Sequence, residues 1–317
     1  MAYIILIVGF ALLIKGADFF VDGSSNIARL LQVPPILIGL TIVALGTSSP
    51  EATVSIIAAL EGNAEVAVGN VVGSNILNTT LVVGVTAFLY PLMVQSETIR
   101  KEIPFTILAS VALLILMSDI ALQGFSSNMI TRSDGLILLL FLSIFMYYVI
   151  EIGLKSRKNA ANVPAPKNIS WGKNIFITIV GLVGIIFGGN LVVENGMEIA
   201  FSLGMSETLV GLTIIAIGTS LPELVTSISA ALKKESEIAL GNIVGSNIFN
   251  ILFVLGASAT ISPLAVNDKV FSDVVFMIVL TVVLLIFSRT SFKVGKREGV
   301  VLAAAYIIYL VYIILRN

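Results

Sequence analysis

The sequence predicts an all-α integral membrane protein, with ten transmembrane helices in two inverted five-helix repeats and breaks in helices 2 and 7. Three observations carry this reading: an apolar, charge-poor composition, a one-sided distribution of basic residues, and an internal repeat at fixed spacing. Of 317 residues, 57% are hydrophobic and 12% charged, at a mean hydropathy of +1.05. A water-soluble domain carries about 25% charged residues, so half the charge that a wetted surface needs is missing. The chain has no Cys and no His. Disulfides, thiolate and imidazole metal sites, and Cys- or His-dependent nucleophilic catalysis are thereby excluded. Nineteen acidic against eighteen basic residues leave a net charge of −1, with no global pull on nucleic acid. Whatever is bound meets oxygen atoms inside a bilayer.

A helix crossing the hydrocarbon needs about 20 mostly apolar residues. Apolar runs between polar breaks place the first five spans at 2–23, 35–60, 67–90, 103–121 and 134–154. The second five fall at 174–196, 207–232, 238–262, 270–288 and 298–315. The first run has no Lys or Arg ahead of it and no clear small-residue cleavage site, so it reads as a span, not a signal peptide. Arg29, Arg100 and Lys101 follow or precede spans 1 and 4, Pro91 and Pro263 close spans 3 and 8, and Lys233 and Lys234 separate spans 7 and 8.

Alternate connectors of ten spans share a side. Fourteen of the eighteen Lys and Arg fall on one side, three (Arg132, Lys269 and Arg316) fall on the other, and Lys15 lies within span 1. By the excess of basic residues on cytoplasmic loops, both termini face outward across a plasma membrane. The 155–173 linker faces the cytoplasm. It carries Pro164 and Pro166 and is too short to fold alone. The chain thus divides into a first repeat, 1–154, the linker, and a second repeat, 174–317.

Self-similarity is the strongest signal. The segment from Gly39 to Glu51, GLTIVALGTSSPE, recurs from Gly211 to Glu223 as GLTIIAIGTSLPE, with ten of thirteen positions identical. The segment from Gly69 to Asn78, GNVVGSNILN, recurs from Gly241 to Asn250 as GNIVGSNIFN, with eight of ten identical. Both pairs are 172 residues apart, as are Gly16 and Gly188, and Pro91 and Pro263. Because each half holds an odd number of spans, the second is inserted upside down relative to the first. Inverted repeats of this kind build secondary transporters, with the binding site near the midplane.

The repeated residues are polar. Ala44, Thr47, Ser48, Glu51 and Ser55 share one helical face, as do Ala216, Thr219, Ser220, Glu223 and Ser227. Asn70, Ser74 and Asn78 step by four along span 3, and Asn242, Ser246 and Asn250 repeat the pattern on span 8. A carboxylate at mid-bilayer costs at least ~2.5–3.5 kcal/mol and marks a functional site by default. Lys15 is three residues from Asp18, so a local ion pair is expected there, apart from the symmetric set. Pro50 and Pro222 lack an N–H and clash with the carbonyl four residues back, so each helix is expected to break at Gly-Thr-Ser-x-Pro and free carbonyls at Ala44 to Gly46 and Ala216 to Gly218. Two carboxylates among hydroxyls, amides and carbonyls form a hard-oxygen site suited to Ca²⁺ or Na⁺, less to Mg²⁺. Two close glutamates in low dielectric resist double ionisation, so H⁺ is an expected competitor.

The two GTSxPE segments and the two GNxxGSNxxN segments resemble the α-repeats of the sodium/calcium exchanger family, within the cation/Ca²⁺ antiporter superfamily. The resemblance spans essentially the whole chain. It implies a central bundle of helices 2, 3, 7 and 8, across which helices 1 and 6 slide so that Na⁺ and Ca²⁺ bind in turn. It implies Glu51 and Glu223 as shared central carboxylates, with Thr47 and Thr219 adding oxygens to the Ca²⁺ site. It further implies Na⁺ sites flanked by Ser48 with Ser246 and by Ser220 with Ser74, helped by the carbonyls of Ala44 and Ala216, and Asn78 and Asn250 facing the centre. Asn250 stands where some members carry Asp, which argues against the potassium-dependent branch. The GNxxE pattern of the proton-coupled branch is absent, which favours Na⁺ coupling.

The leading expectation is therefore an antiporter exchanging Na⁺ for Ca²⁺, with no enzymatic activity, no cofactor and no obligate protein partner besides the lipid bilayer and the ions. A proton/Ca²⁺ antiporter using the same glutamates is the alternative. A passive channel would pass Ca²⁺ without a counter-ion gradient, and its carboxylates would form a ring rather than sit in inverted halves of one chain. An intramembrane hydrolase lacks an evident nucleophile–base pair.

Overall fold

The computed structural model describes residues 1–159, 169–204 and 216–316. The chain is almost entirely helical. The first long helix, α1 (Ala2–Leu31), ends where Gln32 turns left-handed at φ 56°. It is followed by the bent pair α2 (Pro35–Thr47) and α3 (Ser49–Leu60), then by α4 (Ala64–Leu89). A π-helical turn at Thr98–Glu102 leads into α5 (Ile103–Leu116), and a short helix α6 (Asp119–Gln123) precedes α7 (Arg132–Asn159). The second half begins with α8 (Trp171–Ser202), continues with the described remainder α9 (Ala216–Thr219) and α10 (Leu221–Leu232), and closes with α11 (Ser236–Ile261), α12 (Asp268–Ser291) and α13 (Lys296–Arg316).

Among the described residues, seven helices are long and apolar enough to cross a bilayer, or eight if α2 and α3 form one span. The fourth expected span stops short of 121: its helix ends at Leu116, and the chain turns through Met117 and Ser118 before α6. The fourth helix falls outside this set because α5 is only 14 residues long and the π-helical turn that would extend it carries Arg100, Lys101 and Glu102. Residues 207–215 of the seventh span, and Pro164, Pro166 and Lys167 of the linker, lie outside the described residues. The long helices outrun their expected apolar cores: α1 and α8 extend past 23 and 196 to Leu31 and Ser202.

The 172-residue periodicity reappears in the elements. Helix α3 (Ser49–Leu60) matches α10 (Leu221–Leu232), and the α-helical starts of α4 and α11, Ala64–Leu77 and Ser236–Phe249, match in both bounds. Each then widens into a π-helical stretch, Asn78–Val82 in α4 and Asn250–Leu255 in α11. Such insertions are rare and concentrate at functional sites. Two small ribbons tie the halves together. Strand β1 (Leu92–Met93) after α4 pairs antiparallel with β4 (Lys293–Val294) before α13, Leu92 opposite Val294. Strand β3 (Leu264–Ala265) after α11 pairs with β2 (Met129–Ile130) before α7, Ile130 opposite Leu264. Each repeat thus lends a strand to the other.

Burial ranks the helices. The most apolar stretch of α11 is 94% buried and that of α4 is 78% buried, against 22% for α7 and α13. Helices α4 and α11 therefore form the centre, and α7 and α13 turn Leu, Ile and Val outward, as lipid-facing helices do. Helices α1 and α8 lie along one another through glycine. A Cβ added at Gly16 would meet the Ile185 nitrogen at 2.7 Å, and one at Gly181 would meet the Phe20 nitrogen at 2.4 Å. Without a hydrophobic drive between helices in lipid, such close backbone approach is a main source of association.

Candidate cation-binding site

Helix α2 ends at Thr47, Ser48 stands in a turn at ψ 8°, and α3 starts at Ser49 with Pro50 in its first turn. Proline suits the first turn of a helix, where its missing N–H is not needed. The two axes meet at 49°. The same break recurs at Ser220, between α9 and α10, with Pro222 in the first turn of α10. Each break delivers a glutamate in the first turn of the following helix, Glu51 on α3 and Glu223 on α10.

Both carboxylates are fully buried. Each is held by the other half of the chain. The Ser48 hydroxyl donates to Glu223 Oε1 at 2.9 Å, and the Ser220 hydroxyl donates to Glu51 Oε1 at 3.1 Å. Ser246 on α11 adds a donor to Glu223 Oε1 at 3.4 Å, and its counterpart Ser74 on α4 is buried beside Glu51.

Around this pair the asparagines form brackets. Asn70 donates to the Glu51 carbonyl at 3.2 Å and to Ser55 at 2.9 Å, and accepts from Thr219 at 3.4 Å. Asn242 donates to the Glu223 carbonyl at 3.4 Å and to Ser227 at 3.0 Å, and accepts from Thr47 at 2.9 Å. With its single proton directed between Asn242 Oδ1 at 2.9 Å and the more distant Ala44 carbonyl at 3.3 Å, the Thr47 oxygen retains lone pairs for another partner. Among the described residues, the buried oxygens without a hydrogen-bond partner include Glu51 Oε2, Glu223 Oε2, Asn78 Oδ1 and Asn250 Oδ1. Leaving such groups unsatisfied costs about 1–3 kcal/mol each, more for charged ones, so the arrangement calls for a positively charged occupant. Among the described residues no group of three or more Asp or Glu is placed to hold a metal ion together, and two carboxylates and neutral oxygens make up the donor set here.

The structure brings together Thr47, Ser48, Glu51, Ser74, Thr219, Ser220, Glu223 and Ser246 as two crossed groups around the glutamates. Ala44, Asn78 and Asn250 are buried on the same helices. Ala216 opens α9, and its side chain lies outside the described residues. One expectation needs correction. The Ala44 carbonyl is not freed: it accepts from the Ser48 N–H at 2.9 Å and from the Thr47 hydroxyl at 3.3 Å. The break falls one residue too late to release it, and Gly46 is the carbonyl that Pro50 cannot serve. Asp18 also departs from a purely local pair with Lys15 at 3.8 Å. Lys233, at the end of α10, lies 3.6 Å from its carboxylate and 2.7 Å from that of Asp22.

Asn75 and Asn247, the middle asparagines of the GSN motifs, were missed by the step-of-four pattern, which runs through their neighbours. They link α4 and α11 directly: Asn75 donates to the Asn247 carbonyl at 3.1 Å, and Asn247 donates to Thr79 at 2.8 Å. Their identity in both repeats was the available signal.

A cavity of about 410 Å³ reaches the two breaks, lined by Ser49, Pro50, Thr219 and Pro222 and, from α8, by Asn190 and Glu194.

Comparison with known proteins agrees with the motifs. The profile of the sodium/calcium exchanger protein family matches residues 1–151 and 173–315. The putative antiporter CaxA of Alkalimonas amylolytica is 40% identical over 97% of this chain and 97% of its own. The sodium/calcium exchanger MaX1 of Methanosarcina acetivorans is 33% identical over 98% and 97%. Among solved structures, the sodium-calcium exchanger NCX_Mj from a crystal soaked with Na⁺ and no Ca²⁺ superimposes with a TM-score of 0.85, at 29% identity over 98% of each chain. Crossed glutamates at two repeated helix breaks, and a profile match through both halves, have one explanation: this chain belongs to the sodium/calcium exchanger protein family.

Proposed function

We propose that the protein is a secondary antiporter that exchanges Na⁺ for Ca²⁺ across the plasma membrane by alternating access. Its ten spans form two inverted halves with both termini outside and the 155–173 linker in the cytoplasm. The observation that carries the reading is the crossed pair Ser48–Glu223 and Ser220–Glu51. Two buried carboxylates with one free oxygen apiece can replace the water that a divalent cation sheds, and the hydroxyls and amides around them supply part of the remaining six to eight oxygens. Two Na⁺-binding groups, Ser48 with Ser246 and Ser220 with Ser74, flank the central Ca²⁺. Because the same glutamates serve both ions, occupancy by one excludes the other, and that exclusion is what couples the fluxes. The names borne by MaX1 and NCX_Mj support Na⁺ as the counter-ion.

In proteoliposomes, a Na⁺ gradient directed outward drives Ca²⁺ uptake, and Glu51→Gln or Glu223→Gln abolishes it. Uptake that follows a pH gradient equally well without Na⁺ assigns H⁺ as the coupling ion instead. Uptake with no counter-ion gradient makes the protein a channel. The absence of cysteine makes orientation testable with single introduced thiols. Cys at Ser170 is expected to react only from the cytoplasm, and Cys at Ser126 only from outside.

A further inference from the structure

Asn250 has one polar atom satisfied and one not. Its Nδ2 donates to Asn75 Oδ1 at 3.1 Å, while its Oδ1 is buried with no hydrogen-bond partner. An amide can present either end, and the density of neighbouring donors and acceptors decides which. Here that decision traces back to a backbone group. Asn75 Nδ2 donates to the carbonyl of Asn247 at 3.1 Å. A carbonyl oxygen only accepts, so this bond fixes the nitrogen end of Asn75 on Asn247 and its oxygen end on Asn250. Asn250 must then offer its nitrogen to Asn75 and its oxygen to the interior.

We propose that Asn75 is a positioning residue that locks the Asn250 amide with its oxygen toward the transported cation. The proposal rests on the reading of Asn250 as a cation ligand. Three observations place the pair where this matters. Asn250 lies one helical turn beyond Ser246, on the face from which Ser246 reaches Glu223. Asn250 is fully buried and Asn75 is 1% exposed, so water does not compete for either amide. Asn250 also opens the π-helical stretch of α11, which α4 repeats from Asn78.

The symmetric position is built differently. Asn247 donates to Thr79 rather than to the Asn75 carbonyl, its own Oδ1 accepts nothing from Asn78, and neither polar atom of Asn78 has a hydrogen-bond partner. One of the two inward asparagines is therefore oriented by the protein and the other is left to the ion. The site is asymmetric at these two positions although the sequence there is identical.

The test measures the KM for Ca²⁺ in Na⁺-driven uptake by the full-length protein in liposomes. Asn75→Leu is expected to raise KM about tenfold, the low end of what loss of an outer-shell partner costs in metal affinity, with Vmax per correctly folded protein retained. Asn250→Leu raises KM at least as much, and the double variant is no worse than Asn250→Leu alone, because an absent amide needs no orienting. Asn75→Asp keeps an acceptor facing Asn250 but gives up the donor to the Asn247 carbonyl, and is expected to raise KM less than Asn75→Leu. Asn75→Ala takes the place of Asn75→Leu if the latter does not purify as a monodisperse protein. If Asn250→Leu raises KM while Asn75→Leu leaves it unchanged, or if their effects multiply, the positioning role is wrong and Asn250 remains a ligand. An unchanged KM in Asn250→Leu removes Asn250 from the site and the proposal with it. A fall in Vmax at constant KM for both Asn75 variants overturns positioning in favour of a structural role.

Discussion

Ser48 stands three residues before Glu51, yet its hydroxyl binds Glu223, the glutamate of the opposite repeat, at 2.9 Å. The reciprocal bond from Ser220 to Glu51 makes each carboxylate dependent on the break in the other half. Each half thus supplies a donor to the other half's glutamate, and the two breaks are fixed relative to one another through the carboxylates they present.

Removing one of these donors leaves a buried carboxylate oxygen with one partner fewer. A hydrogen bond to a charged group contributes about 1.5–3 kcal/mol. Ser48→Ala and Ser220→Ala are each expected to lower the stability of the cation-free protein by about that amount, read as a fall in midpoint temperature in detergent. Saturating Ca²⁺ should restore most of the loss, since the cation takes over the carboxylate, whereas Na⁺ should restore less if these serines flank Na⁺ sites as proposed. An equal loss with and without Ca²⁺ would show that the serines stabilise packing and not the glutamates.

Much of this arrangement was legible in the sequence because membrane insertion makes polar residues conspicuous. Glu51, Glu223 and the Thr-Ser pairs before them stand out against apolar runs, and their 172-residue spacing names both halves at once. The π-helical stretches at Asn78 and Asn250 were not legible, since widening of a helix by one residue depends on what packs across it. The same holds for Asn75 and Asn247, whose partners lie on the opposite central helix. The Ala44 carbonyl shows the limit of reasoning from proline. Pro50 dictates that a bond is lost at Gly46, but the turn at Ser48 decides which neighbouring carbonyls are still served.

The α1–α8 contact yields a second prediction. A Cβ at Gly16 would fall 2.7 Å from the Ile185 nitrogen and 2.8 Å from the Gly181 oxygen, both backbone atoms that no rotamer change can move. Gly16→Val must push the two longest helices apart along their shared face. Overpacking of this kind costs about 1–3 kcal/mol. Gly172→Ala, on α8 with nothing within 4 Å of the added carbon, is the matched control and is expected to be neutral. Thermal unfolding of the two purified variants distinguishes them, and equal midpoints would mean that α1 and α8 are not packed through Gly16.

The corner between α10 and α11 carries the third. Lys233 reaches Asp22 at 2.7 Å and the Asp18 carbonyl at 2.7 Å, Ser229 donates to Asp18 at 2.8 Å, and Arg29 pairs with Glu235 at 2.9 Å. These bonds fasten the end of α1 to the turn between α10 and α11. Single exposed pairs contribute about 0.2–1 kcal/mol, but shared partners make this a network in which one loss strands several groups. The equivalent positions of the other repeat carry Glu61 for Lys233 and Glu194 for Asp22, which cannot pair. The Lys233–Asp22 pair thus has no counterpart at the equivalent positions of the other repeat. Lys233→Met removes the shared cation and leaves Asp18 and Asp22 facing each other. It is expected to raise amide hydrogen exchange at the end of α1 and at residues 232–236, while Glu61→Gln leaves exchange at its own turn unchanged. High salt should reproduce part of the Lys233→Met effect in the wild-type protein, because screening acts on exposed pairs. Unaltered exchange at both places in Lys233→Met would show that the corner is held by Ser229 and by packing, with the ion pairs contributing nothing measurable.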